Sequence, residues 1–308
     1  MIKSLIHLAA NLAFVAGVLI VSSTTAYAFF HSEAPKRVVA AGGSITEIIY
    51  RLNEHERIVG VDSTSTFPWQ AREKAQIGYV RKLSPEGVLS LSPDILIGEA
   101  DTGPEKILHQ LEEANLNIEI LSDTDNLYGI EDKIIKVAQL LGVETKGKEL
   151  AKSLQVDRQA LVHITDQVEK KPKVLFVLAL RNGQPIVSGD NTSGHEVLEA
   201  AGGNNLAANI NGWKPLSTEA ALSMNPDIII TMGRHGAERV DMLKELPHFK
   251  YSNAIKNNRV HVINGSYLLG MGPRTPQAVV ELANIFHPDI ALPALYELRY
   301  SPTANESE

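Results

Sequence analysis

The chain has 308 residues and no cysteine, and its 29 basic and 36 acidic residues give a formal net charge of −7. An acidic balance argues against nucleic acid as a partner, and the lack of cysteine excludes disulfides and thiolate metal sites. About 280 residues follow the N-terminal segment described next, a length that usually forms two domains with ample core.

Residues 1–28 have the pattern of a secretory signal peptide. Lys3 supplies a positive start, an apolar run extends from Leu5 to Val21, and Ala26-Tyr27-Ala28 forms a small-x-small cleavage site. The run approaches the length of a membrane anchor, but the cleavage site favours removal. No cysteine follows it, so we expect no lipid anchor and a periplasmic product of formal charge −8, since Lys3 is the one charge removed.

Short β-branched runs alternate with helical patterns in both halves of the chain. We predict strands at 36–41, 57–62, 94–99 and 118–123, and again at 173–180, 227–232 and 259–264. This alternation is typical of a mostly parallel sheet flanked by helices. The fold class is therefore α/β, with two Rossmann-like lobes at 35–145 and 172–300.

The lobes are joined by a segment, 146–171, with helical periodicity. Its apolar positions recur at spacings of 4, 7, 3 and 4: Leu150, Leu154, Leu161, Ile164 and Val168. We predict one connecting helix of roughly 35 Å. An ordinary surface helix within one lobe is the alternative.

An internal repeat supports the two lobes. Residues 83–97 and 216–230 share nine of fifteen positions, among them Glu86 with Glu219 and Asp94 with Asp227. Two copies are too few for a solenoid and indicate two similar lobes. A cleft between two such lobes is a usual ligand site.

A second pair of matching segments opens a helix in each lobe. Ser44 and Glu47 correspond to Ser193 and Glu196, and each pair has the Ser-x-x-Glu spacing of a capping box. No hydrolase elbow, Walker loop, dinucleotide fingerprint or zinc-type histidine cluster accompanies them. Nothing in the sequence therefore argues for an enzyme.

Five segments together resemble the haem-binding periplasmic proteins of bacterial haem ABC importers, within a wider two-lobed family of siderophore and vitamin B12 carriers. The segments are RVVAAGGSITEIIYRL, GYVRKLSPEGVLSLSPD, NTSGHEVLEAAGGNN, KPLSTEAALSMNPDIII and LLGMGPRTPQA. The resemblance extends from Lys36 to Pro288. It implies a protein, expected to be a monomer, that binds haem (Fe(III) protoporphyrin IX) in the cleft and delivers it to a membrane ABC permease and its ATPase.

The first ligand segment, beginning at Gly78, contains Tyr79 and Arg81. A phenolate is a hard anionic donor suited to Fe(III), and Tyr is an axial haem ligand in proteins. A nearby cation favours the phenolate, whose free pKa is near 10. The resemblance implies that Tyr79 ligates the iron and that Arg81 hydrogen-bonds the phenolic oxygen. The alternative is a packed Tyr79 beside a solvated Arg81.

Residues of the facing lobe are candidates for the rest of the haem. Arg234 and His235 follow a predicted strand, at the edge where open α/β sheets bind ligands. Arg234 is suited to a haem propionate, and His235 to the iron or a propionate. His195, at a helix start, is a further candidate. A role as exposed loop residues is the alternative for both histidines.

The resemblance also implies docking of one exposed Glu per lobe against Arg residues of the permease, and we assign these roles to Glu47 and Glu196. Capping alone is the alternative for both. A ferric siderophore or cobalamin carrier of the same fold, and an exported α/β enzyme, are the competing functions.

Overall fold

The structure, a computed structural model, describes residues 34–122, 126–233, 236–294, 296 and 297. The expected signal peptide lies outside these residues. In the first half the elements are β1 (Val38–Ala41), α1 (Gly43–Arg51), β2 (Ile58–Val61), β3 (Ala75–Gln76), β4 (Gly78–Tyr79), β5 (Lys82–Leu83), α2 (Pro85–Ser90), β6 (Ile95–Gly98), α3 (Glu105–Glu113), β7 (Asn117–Ile120) and α4 (Gly129–Leu140). Two helices follow, α5 (Glu144–Ser153) and α6 (Gln155–Thr165).

The second half contains β8 (Lys173–Arg181), β9 (Gln184–Ser188), α7 (Ser193–Ala200), β10 (Asn204–Asn205), β11 (Trp213–Pro215), α8 (Thr218–Met224), β12 (Ile228–Met232), α9 (Gly236–Glu245), α10 (Asn253–Lys256), β13 (Val260–Ile263), α11 (Gly265–Leu269) and α12 (Thr275–Phe286). No helix among the residues described above is long and apolar enough to cross a bilayer.

Each half forms its own sheet. The first has the order β3-β2-β1-β6-β7 and is parallel throughout. The second has the order β11-β9-β8-β12-β13, with β10 also beside β8. Strand β9 runs antiparallel to both of its neighbours, β8 and β11. Strands β1 and β6 are buried along their whole length, as expected for parallel strands covered on both faces. All seven predicted strands are present, and the α/β prediction is confirmed.

The predicted connecting segment is helical, but it forms two helices, α5 and α6, rather than one. The helix is interrupted at Leu154, where ψ is −14° and the side chain is 2% exposed. Helix α5 packs against α4, and α6 packs against α12. The apolar positions of the segment are therefore divided between two shorter helices with different neighbours. Periodicity alone does not reveal such an interruption.

The two halves share one hydrophobic core. A continuous cluster of buried side chains includes Ile45 and Ile48 of α1, Phe176 of β8 and Val279 of α12. Two smaller clusters lie around Val39 of β1 in the first half and around Leu175 of β8 in the second. The interface between the halves is therefore itself apolar and packed.

The repeated segments form matching elements. Ser84 caps α2 by accepting a hydrogen bond from Gly87 N at 3.0 Å, and Ser217 caps α8 through Ala220 N at 3.2 Å. Asp94 accepts from the backbone N of Lys36 just before β1 (2.8 Å), and Asp227 accepts from that of Lys173 in β8 (3.2 Å). The shared Ser and Asp therefore perform the same structural task in each half.

The predicted capping boxes are wrong in both halves. The N-cap of α1 is Gly42, and Ser44 lies inside the helix. The N-cap of α7 is Thr192, whose Oγ1 accepts from His195 N at 3.1 Å. The Ser-x-x-Glu spacing was correct for the helix starts but not for the residues that cap them.

Candidate functional site

Two adjoining cavities lie between the halves. The larger, of about 760 Å³, is lined by Lys133 from the first half and by residues of α7 and β11 from the second. The smaller, of about 200 Å³, includes Tyr79 and Phe67. They share Arg81, Glu99, Asp101 and Gly270 as a common wall. Together they form the interlobe cleft expected from the sequence.

A hairpin places Tyr79 at the smaller cavity. Strands β4 and β5 pair Gly78 with Leu83, leaving Val80 and Arg81 as the turn. Gly78 has φ 104°, and a Cβ there would lie 2.7 Å from the Lys82 carbonyl oxygen, so only glycine fits. Val80 and Leu83 are buried, whereas Tyr79 is 44% exposed. The hairpin is anchored by its apolar residues and presents the phenol, which argues against a packed Tyr79.

Arg81 is held by an acidic residue that sequence reasoning did not identify. Its Nε and Nη2 each lie 2.7 Å from Asp101 Oδ2. Arg81 is thus paired with a carboxylate in the cleft wall, which differs from the alternative of a merely solvated Arg81. Its hydrogen bond to the phenolic oxygen of Tyr79 stays a prediction.

A buried polar network forms the floor of the cleft. Glu99 Oε1 accepts from Ser44 N at 3.0 Å and from Ser44 Oγ at 2.5 Å. Lys133 Nζ donates to Ser44 Oγ at 3.1 Å and to the carbonyl of Met271 in the other half at 3.2 Å. Burial raises the pKa of Glu99, while the Lys133 charge opposes that rise.

Sequence reasoning missed both charged members of this network. Glu99 ends a predicted strand at the sheet edge where ligands bind, which was a usable signal. Lys133 lies within α4 and has no local motif. Its role depends on contacts with distant residues.

The second half contributes His195 and Glu196, both half-buried and both lining the larger cavity. His195 Nδ1 lies 3.1 Å from Asn205 Nδ2, and its Nε2 lies 3.8 Å from Asp190 Oδ1. Three apolar side chains complete this wall: Trp213, Leu269 and Met271. Arg234 and His235 lie outside the described residues, and their roles stay predictions.

Glu47 is not exposed, which corrects its prediction as a docking residue. It is 4% exposed, and its carboxylate accepts from Arg274 N and from Arg274 Nε, both at 3.0 Å. The Arg274 guanidinium also lies 3.3 Å from the centre of the Phe67 ring. Glu47 therefore joins the two halves through a buried ion pair.

The exposed, matching glutamates are Glu86 and Glu219. They occupy the first turns of α2 and α8, and both side chains are exposed. One turn further, Leu89 and Leu222 are 40% and 50% exposed. The signal was available in the sequence, because all four residues are identical pairs of the repeat.

Comparisons with known proteins agree with this architecture. A periplasmic binding protein family profile matches residues 38–267. The periplasmic haem-binding protein RhuT from Roseiflexus sp. RS-1, in apo form, is 35% identical with a TM-score of 0.77, over 83% of this chain and 99% of that chain. The periplasmic haem-binding protein BhuT, in complex with two haems, is 32% identical with a TM-score of 0.78 over the same shares. The vitamin B12-binding protein of Vibrio parahaemolyticus is 25% identical over 260 residues, 83% of this chain and 90% of that protein.

Proposed function

The chain belongs to the periplasmic binding protein family, and on that premise we propose that it captures haem in the cleft and delivers it to an ABC permease. Members of this family are substrate-binding proteins, so the exported-enzyme alternative is set aside. Such proteins act outside the cytoplasmic membrane. Residues 1–28, as a cleavable signal peptide, would provide the export.

The observation that carries the choice of haem is the half-exposed phenol of Tyr79 in the cleft, beside Arg81. A phenolate is an established axial ligand of haem iron, and an adjacent guanidinium favours the anion. The likeness to two haem-binding structures, at 35% and 32% identity, supports the same ligand. We propose that Tyr79 binds the iron and that His195, with Arg234 and His235, contacts the remainder of the ligand.

Cobalamin is the second candidate, because a vitamin B12-binding protein aligns over 83% of the chain. The identity of 25% to this protein is lower than the 35% and 32% to the two haem-binding structures described above. A ferric siderophore is a third ligand class within the same fold.

Ligand titration separates these candidates. Adding hemin to the purified protein is expected to produce a Soret band distinct from that of free hemin and to quench the fluorescence of Trp213, which lines the larger cavity. Cyanocobalamin or a ferric siderophore at the same concentration should not displace hemin. Trp213→Phe is the control that assigns the quenching. Displacement by cobalamin, or no Soret change, would contradict the haem proposal.

We further propose that the permease recognises Glu86 and Glu219, one in each half. Their carboxylates are exposed at repeated positions, each with an exposed leucine one turn away. Two related charged patches suit a partner built with two-fold symmetry, and exposed charge steers association and fixes register. Glu196 lines the larger cavity. Its role in docking stays a prediction.

The double variant Glu86→Gln, Glu219→Gln is expected to bind hemin normally but to lose stimulation of the permease ATPase in proteoliposomes. Gln preserves the size of each side chain and removes its charge. The matched control is Glu113→Gln, Glu245→Gln, which changes two exposed glutamates on α3 and α9. Full stimulation by the first double variant, together with a loss in Glu196→Gln, would assign docking to the cleft rim instead.

A further inference from the structure

Asp101 and Arg81 form an ion pair in the wall shared by the two cavities. Asp101 Oδ2 accepts from both Nε and Nη2 of Arg81, each at 2.7 Å. Both residues line the smaller cavity with Tyr79. We propose that Asp101 is a positioning residue for ligand binding, which fixes the Nε edge of Arg81 and presents its remaining donors to the cavity that Tyr79 lines. This inference rests on the proposed function.

The backbone holds the two partners in place. Gly103 N donates to the Val80 carbonyl at 2.9 Å, and Leu83 N donates to the Gly103 carbonyl at 3.0 Å. The loop that carries Asp101 is thus hydrogen-bonded to the hairpin that carries Arg81. Their ion pair therefore joins two segments that are already fixed relative to each other.

The second oxygen of Asp101 also indicates that the ion pair fixes this side chain. Oδ1 is buried and makes no hydrogen bond within the described part of the chain. A desolvated carboxylate oxygen without a partner is costly. Because the side chain as a whole is 36% exposed, a simple surface role would allow that oxygen to turn towards water. Its position is explained by the charge-assisted contact of Oδ2 with two Arg81 donors.

Orientation and charge have opposite effects on a bound phenolate. If Asp101 fixes the Arg81 side chain before the ligand binds, binding no longer carries the entropy cost of ordering that side chain. The saving corresponds to roughly threefold to tenfold tighter binding. The negative charge of Asp101 opposes this gain by offsetting the charge of Arg81. The side chains of the pair are 64% and 36% exposed, so water screens the charge effect. The gain in affinity from orienting Arg81 is therefore larger than the loss caused by the Asp101 charge.

Hemin titrations of Asp101→Ala, Asp101→Asn, Arg81→Ala and the double variant Arg81→Ala, Asp101→Ala test the proposal. We expect Asp101→Ala to bind roughly threefold to tenfold more weakly and to shift the phenolate-to-iron charge-transfer band in the same direction as Arg81→Ala. Asp101→Asn, which keeps an acceptor oxygen, should lose less. In the Arg81→Ala background, removing Asp101 should change nothing further.

Three results would overturn the proposal. The first is unchanged or tighter hemin binding by Asp101→Ala. The second is an equal loss of affinity on removing Asp101 whether or not Arg81 is present. The third is a fall in the Tm of Asp101→Ala with no shift of its charge-transfer band. Asp241→Ala, which breaks an exposed ion pair with Lys244 on α9, is the matched control and should bind like the unmodified protein. If the unmodified protein gives no Soret change, the proposed function fails and this inference fails with it. Normal binding by the unmodified protein with an inert Asp101 overturns this inference alone.

Discussion

Tyr79→Phe is expected to weaken hemin binding by about 100-fold or more, since loss of a group that merely supports a metal ligand already costs 10–100-fold. The variant keeps the ring and removes only the hydroxyl. Because the hairpin is anchored by buried Val80 and Leu83, its fold should persist. Hemin titration and the visible spectrum measure the effect, and the phenolate-to-iron charge-transfer band should disappear.

The matched control for this variant is Tyr251→Phe. Tyr251 is 67% exposed and lines neither cleft cavity. Its replacement should leave affinity and spectrum unchanged. Retention of the charge-transfer band in Tyr79→Phe would transfer the ligand role to another residue.

Glu47→Ala is expected to destabilise the protein by about 3–5 kcal/mol, the usual cost of leaving a buried charge without its partner. Arg274 is 8% exposed and would lose the carboxylate that accepts from its backbone N and its Nε. The Tm should fall by roughly 10 °C for a protein of this size. Thermal and denaturant unfolding give the two quantities.

Two further variants identify the cause. Glu245→Ala, whose carboxylate lies 3.9 Å from Lys250 Nζ on the surface, should change stability by less than about 0.5 kcal/mol. Glu47→Gln combined with Arg274→Met removes both charges and should recover much of the loss. A Tm for Glu47→Ala close to that of the unmodified protein would show that the pair contributes little.

The strands were predictable because short runs containing β-branched residues, such as Val38–Ala41, alternate with helical patterns along the chain. The repeat indicated that the two halves have similar folds. Ser84 and Asp94 make the same kinds of hydrogen bond as their counterparts Ser217 and Asp227 in the other half. Local patterns and the repeat therefore provided the α/β class and the cleft.

The errors arose where a residue's partner is distant in sequence. Glu47 has the spacing of a cap, yet its carboxylate binds Arg274, which is 227 positions away. The spacing of Leu150 and Leu154 is helical, but it does not show that α5 and α6 pack on different helices. Asp101 lies 20 positions from Arg81 on a separate loop. Only the folded chain brings these pairs together.

Resonance Raman spectroscopy of the hemin complex, excited within the charge-transfer band, tests the central claim most directly. Phenolate vibrations are enhanced at such a wavelength only when a tyrosinate is bound to the iron. The account predicts these vibrations in the unmodified protein and their absence in Tyr79→Phe. A complex without phenolate vibrations, and with the spectrum of imidazole-ligated ferric haem, would contradict it and assign the iron to a histidine such as His195.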